Sequence, residues 1–316
     1  MTHRVHNHPS LTLAVGTQVV ALKNIMGQHG RILHPCGAVG VILRAPKDLQ
    51  HDYRVKFADC VESAISPSDL TPLALYKEGQ IGDATVTSSR HNLFDHVIFR
   101  CVIGSQAYGL ADDASDVDRR GFYLPPAELH WSLYGVPDQL ENDATQEAYW
   151  EVQKFLILAL KANPNVLECL YTPLVETRCE LVDELLAIRS IFLSKLVYQT
   201  YNGYVMSQFK KMQADLRNQG KVKWKHVMHL IRLLLSGVQV LQEGFVPVRV
   251  DEYREQLLAI KRGEVAWEET EKWRKSLHTE FDSALSVTKL PERPDYEKAN
   301  EWLLKARRSA NVSDFQ

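Results

Sequence analysis

The pattern of apolar residues changes character at about Tyr149, and this change limits the fold more than any other feature of the chain. Before it, apolar runs are short, of strand length, and separated by turn residues. After it, Val152, Phe155, Leu156, Ala159 and Leu160 follow helical spacing until Asn163-Pro164 interrupts it. Helical patterns then dominate: Val166–Tyr171, Leu181–Lys195, two long stretches at Leu196–Gln219 and Val222–Glu243, and most of Val250–Arg308. Strands first and helices afterwards predict an α+β protein rather than an alternating α/β one. The 316 residues provide for about two domains at roughly 150 residues each.

Residues 11–76 predict a small all-β domain. Tyr53, Val55 and Phe57 alternate with Arg54 and Lys56, and Val39, Val41 and Leu43 alternate with Gly40 and Ile42. Turn residues at Gly16, Asn24, Gly27, Gly30, Pro35–Gly37, Pro46 and Asp59 separate the runs. Strand spacing and glycine placement resemble an SH3-like or KOW-like barrel, a fold that binds nucleic acid or protein. The polar stretch 77–94 reads as a linker and residues 1–10 as a flexible terminus, where His3, His6 and His8 have no partners to close a metal site.

Charge excludes a global pull toward nucleic acid or membrane, since 37 Lys and Arg face 39 Asp and Glu. Any nucleic-acid surface has to be local. No apolar run approaches the roughly 18 residues of a membrane span. Five scattered cysteines without a CxxC pair read as reduced thiols of a cytoplasmic protein.

The chemistry is concentrated between residues 97 and 124. The apolar stretch Val97–Ile103 fits a buried strand and ends at Gly104-Ser105, where small side chains leave backbone N–H groups free to cradle a phosphate. Asp116 and Asp118 follow, one residue apart, with Gly121–Leu124 suggesting the strand they enter. On a strand, positions i and i+2 share a face, so both carboxylates would converge as hard oxygen ligands for Mg²⁺. An isolated Asp-x-Asp occurs about once by chance in a chain of this length. Its place after an apolar strand and a Gly-Ser turn is what lends it meaning.

A second concentration lies in residues 207–232, where Lys210, Lys211, Arg217, Lys221, Lys223, Lys225 and Arg232 face a single acid, Asp215. At helical spacing Lys225, His229 and Arg232 form one stripe, beside an apolar stripe of Met228, Ile231 and Leu235. Such a stripe suits phosphate, or is simply a solvated basic face. Lys210 and Lys211 read as surface charge, and Lys154 either faces the site or lies on the surface.

The string Gly104-Ser105-Gln106-Ala107-Tyr108-Gly109-Leu110, continued by Ser115-Asp116-Val117-Asp118-Arg119-Arg120-Gly121, resembles the signature of the DNA polymerase β-like nucleotidyltransferase superfamily. It is most similar to a bacterial and phage branch associated with RNA-repair loci. Support comes from Tyr149–Phe155 running into Ala162-Asn163-Pro164-Asn165 and Glu168, from Lys225-His226 with His229–Arg232, and from Leu290-Pro291-Glu292 with Pro294-Asp295-Tyr296.

The resemblance covers about residues 95–308. It implies a mixed-sheet catalytic core over 95–175 and a helical C-terminal domain over 176–316 that closes the cleft. By position it implies that Gly104 and Ser105 bind the phosphates of a nucleoside triphosphate; it also favours the Lys225, His229 and Arg232 stripe as nucleotide contacts, while Tyr108, in the same loop, either stacks on a base or simply packs. Asp116, Asp118 and a third carboxylate would hold two Mg²⁺ or Mn²⁺ ions. Glu147 is the favoured third residue, ahead of Asp143 and Glu141; Glu168 reads as a capping or paired residue.

The expected activity is transfer of an NMP from an NTP, ATP among them, to an acceptor hydroxyl, with RNA as acceptor. The alternatives are a protein or small-molecule acceptor, as in antitoxin-like or aminoglycoside-modifying relatives, or a catalytically silent nucleotide- or RNA-binding module. A protein partner would engage the N-terminal barrel.

Overall fold

The computed structural model describes residues 13–27, 30–46, 51–78, 87–88, 90–112, 115–219 and 222–312. The N-terminal segment 1–10 and most of the linker between 79 and 89 lie outside the described residues. The chain divides into two compact units, one of residues 1–87 with 132–135, the other of residues 88–131 and 136–316.

The first unit is an antiparallel sheet. Its strands are β1 (Gln18–Ala21), β4 (Val39–Arg44), β5 (Tyr53–Phe57), β6 (Glu62–Ile65) and β7 (Leu70–Pro72), in the order β6-β5-β4-β1-β7, with β2 (Ile25–Met26) and β3 (Ile32–His34) as a separate hairpin. Strand β5 alternates as its sequence predicts, burying Tyr53, Val55 and Phe57 and exposing Arg54 and Lys56. In β4 the buried residues are Gly40 and Ile42, while Val39 and Leu43 are exposed. Both faces of β4 are apolar in sequence, so composition does not choose between them. Packing does: a Cβ at position 40 would meet Cγ1 of Val55 on the neighbouring strand at 2.5 Å, so only glycine fits beside β5. Short helix α1 (Leu73–Glu78) follows β7.

The second unit holds a mixed sheet in the order β10-β11-β9-β8-β12. Its strands are β8 (Val97–Ile103), β9 (Asp118–Tyr123), β10 (Gln139–Asn142), β11 (Glu147–Glu151) and β12 (Val175–Thr177). Strand β11 runs parallel to β9, and β8 is antiparallel to it. Between them lie α2 (Gly104–Tyr108), α3 (Ala127–Trp131), α4 (Val152–Leu160) and α5 (Pro164–Tyr171); after β12 come α6 (Glu180–Ala187), α7 (Leu196–Gln219), α8 (Trp224–Glu243), α9 (Arg254–Arg262), α10 (Trp267–Val287) and α11 (Tyr296–Val312).

Asn163-Pro164 both stops α4 and starts α5. Pro164 occupies the first helical turn, where its missing N–H costs nothing, and the Asn163 side chain accepts the Val166 N–H.

One face of this sheet, through Phe99, Cys101, Ile103, Phe122 and Trp150, shares a continuous core with helical residues as distant as Phe281, Trp302 and Ala306. The expected helical domain of 176–316 therefore packs as part of the same compact unit as the sheet. The opposite face carries a smaller cluster of Leu93, Tyr123, Leu140 and Tyr149. Helix α11 is fastened to the sheet by charge as well as packing: Arg307 Nη2 lies 2.6 Å from Oε1 of the buried Glu151.

Candidate active site

Strand β8 delivers the chain to Gly104, whose φ of +73° opens α2 in a backbone conformation that L side chains rarely adopt. A Cβ there would lie 2.6 Å from Oδ2 of Asp118, the residue paired with Ile103 at the start of β9. Glycine is thus required both by the turn and by the carboxylate seated against it. Asp118 is partly exposed, with one weak ion pair to Arg120 at 3.4 Å. Asp116 lies in the coil before β9 and is exposed. Only Asp118 is on the strand, so strand alternation does not fix the side on which Asp116 lies.

The loop that carries the aspartates is held from its own ends and from the helices. Asp112 and Ser115 exchange hydrogen bonds of 2.7 to 2.9 Å, and Lys261 Nζ of α9 lies 2.7 Å from Asp112. Arg254 donates to the Gly109 carbonyl at 2.9 Å, and the Val250 N–H to the Tyr108 carbonyl at 3.2 Å. Neither Lys261 nor Arg254 was visible as a site residue in the sequence, where both read as ordinary helix charge.

The strand register places each carboxylate expected as the third ligand. Glu147 pairs with Arg119 across the parallel β9–β11 ladder, and side chains alternate along each strand, so Glu147 and Asp118 lie on opposite faces. Arg119 instead pairs with Glu176 at 2.9 Å. The position beside Asp118 on its own face belongs to Arg120, which donates to the Gln146 carbonyl at 2.9 Å. Glu141 pairs with Ala148, which pairs with Arg120, placing Glu141 on the Asp118 face but two strands away. Asp143 sits in the β10–β11 turn. Among the described residues no group of three or more His, Cys, Asp or Glu is arranged to hold a metal ion. Asp116 and Asp118 are hard oxygen donors, the ligand type that a divalent cation would take.

The stripe on α8 is graded from surface to core. Lys225 is exposed, His229 partly buried and Arg232 buried. Arg232 Nη1 lies 2.8 Å from Oε1 of Glu168, whose Oε2 accepts a 2.5 Å hydrogen bond from the Tyr108 hydroxyl, and the guanidinium carbon sits 3.7 Å over the Tyr108 ring. Tyr108 and Arg232 are therefore corrected from nucleotide contacts to members of a buried network joining α2, α5 and α8. Glu168 is a paired residue, as its sequence context suggests.

Burial pushes the Tyr108 hydroxyl well above its usual pKa, which keeps it a donor. His229 has its ring 6.2 Å from that of Tyr108, and burial, reinforced by Arg232 and Lys225, lowers its pKa to about 4. Lys154 pairs with Asp138 at 3.0 Å on the surface.

A family model described as the RNA repair pathway DNA polymerase beta family matches residues 82–305. The uncharacterized protein YcgL of Bacillus subtilis (strain 168) is 27% identical over 154 residues, covering 48% of this chain and 58% of that protein. The chain thus spans less than two thirds of that relative's length. No solved structure matches. The segments that meet around Gly104, Asp118 and Glu168 all lie inside the matched span, and the chain belongs to the RNA repair pathway DNA polymerase beta family.

Proposed function

We propose that this protein is a divalent-metal-dependent nucleotidyltransferase that moves an NMP from an NTP to an acceptor hydroxyl of RNA. The observation that carries the reading is the Asp118 carboxylate seated on Gly104, with the exposed Asp116 two residues before it, in a chain of a polymerase β-like family. Asp116 and Asp118 would hold the cation, and Gly104 and Ser105 would lie against the triphosphate. A divalent ion at such a site neutralises phosphate charge and lowers the pKa of a bound hydroxyl. The acceptor oxygen bonds to the α-phosphorus, the bond from that phosphorus to the pyrophosphate oxygen breaks, and the hydroxyl proton passes to solvent. Lys225, exposed at the start of α8, is the remaining basic candidate for the nucleotide or the RNA.

RNA as acceptor is supported by the family description and by the local basic stretch. The N-terminal unit, read as an SH3-like barrel, would recruit the acceptor or a protein partner; the exposed Met26, Ile32 and Leu33 of its β2–β3 hairpin suit the latter. The described cysteines are all free thiols, which supports a cytoplasmic setting, and no described helix is long and apolar enough to cross a membrane.

The test is incubation with each α-labelled NTP and Mg²⁺ or Mn²⁺, with total RNA or with protein alone. Label in RNA that disappears with EDTA is the expected result. Label in the protein redirects the reading to a protein acceptor. Absence of label alongside RNA binding that survives EDTA replaces it with a silent binding module.

A further inference from the structure

A cavity of about 500 Å³ lies away from Asp118, where the end of α5, the turn after β12 and the C-terminal end of α8 meet. The residues that give it chemistry are Tyr171, Arg178, Asp183, Arg189, Gly244 and Phe245. We propose that this cavity binds one nucleotide of a single-stranded RNA, its base against Phe245 and Tyr171 and its phosphate against Arg189 and Arg178. The proposal deepens the RNA-acceptor reading above and rests on it for the identity of the strand.

Arg189 is held ready for an anion. Its guanidinium carbon lies 4.7 Å over the Tyr171 ring, and Nη1 reaches the Leu170 carbonyl at 3.4 Å. Both of these described partners, an aromatic ring and a backbone carbonyl, are uncharged. Tyr171 does not neutralise it, because burial pushes the phenol up to about 12 against the opposing pull of Arg189. Arg178 pairs with Asp183 at 3.2 Å, and both side chains are more than half exposed, so the pair yields readily to a phosphate.

Phe245 supplies the second half of the argument. It is 44% exposed and meets Tyr171 edge-on, with ring centroids 5.1 Å apart and planes at 86°. An acidic peptide would use the arginines but leave this bare ring unexplained. A base has a π-face for it, and cation plus aromatic is the pairing by which single strands are held.

The cavity is also polarised. Gly244 caps the C-terminal end of α8, where the helix carries partial negative charge, which directs phosphate to the arginine side and hydroxyl or amino donors to the other.

Position fits an acceptor strand. Thr177 of β12 pairs with Arg100, and Asp118 with Ile103, so strand spacing puts the β12 end about 14 Å from Asp118 along and across the sheet. A strand with its end at Asp118 spans that distance in a few nucleotides.

The test is fluorescence anisotropy of a labelled single-stranded oligoribonucleotide with the full chain, in EDTA and without NTP, so the result is independent of turnover. Phe245→Ala is expected to weaken binding roughly tenfold. Arg189→Gln is expected to reduce the slope of log K against log salt by about 0.7, the loss of one phosphate contact. Lys154→Gln, a surface charge elsewhere, keeps wild-type affinity, and melting curves verify that each variant is folded. Absence of saturable binding by the wild type, or Phe245→Ala and Arg189→Gln within twofold of it with an unchanged slope, overturns the proposal. Failure of nucleotide transfer with this affinity series intact overturns only the catalytic reading.

Discussion

Asp116 and Asp118 lie within reach of solvent at the Gly104 end of the sheet, with a single long ion pair recorded between Asp118 and Arg120. Glu168 and Arg232, from the same family-matched span, are almost completely enclosed, and Glu168 meets both the Arg232 guanidinium and the Tyr108 hydroxyl. The first pair, on the reading proposed above, keeps unspent charge for a ligand. The second uses its charge to fix how α2, α5 and α8 meet. Charged residues within one family-matched span thus differ in burial and in partners, and that difference separates a proposed ligand site from a structural network.

The largest expected contrast is in rate. Asp118→Asn should lower metal-dependent transfer by at least about 10³, roughly 4 kcal/mol of barrier, while its melting temperature stays near that of the wild type. A variant with full activity breaks the catalytic half of the comparison. Glu168→Gln should show the converse, losing about 3 to 5 kcal/mol of stability because Arg232 is left as an uncompensated buried charge. That corresponds to roughly 10 °C in melting temperature for a unit of this size. The double variant Glu168→Leu with Arg232→Met should recover most of the loss, since a buried pair can be replaced by apolar side chains.

Smaller effects sharpen the boundary. His229 stays neutral in the fold down to about pH 4. As pH falls from about 6.5 to 4, the unfolded chain gains a proton that the folded chain does not, so stability drops with acid over that window. The loss should be on the order of 2 kcal/mol, and His229→Gln should flatten that part of a denaturant-melt series against pH. Tyr108→Phe removes one hydrogen bond to a carboxylate and should cost about 1.5 to 3 kcal/mol; no change would show that the hydroxyl contributes nothing to the network. Smallest of all, Glu147→Gln should leave transfer within about threefold of wild type, an effect under about 0.7 kcal/mol. A loss matching Asp118→Asn would restore Glu147 as a metal ligand.

What the sequence made legible was local. The burial of Tyr53, Val55 and Phe57 follows from their period of two, and Asn163-Pro164 announces a helix boundary from its own chemistry. Gly104 and Asp118 were legible because a strand, a tight turn and an acid follow one another in close succession. The rest depends on residues far apart in the chain. The face on which Glu147 lies is set by parallel pairing with a strand that begins at Asp118. Arg232 reads as part of a cationic stripe on its own helix, and only Glu168, from another helix, shows it to be interior. In β4 both faces are apolar, so the pressure of Val55 on Gly40 decides what spacing does not.

The unbroken interior from Phe99 to Ala306 has a practical consequence for anyone dissecting this protein. A fragment trimmed to residues 95–175 would carry the aspartates but also a bare greasy surface, an orphaned Glu168, and a loop without its Lys261 tether. Such a piece should aggregate rather than react, so the smallest unit worth expressing runs through the last helix.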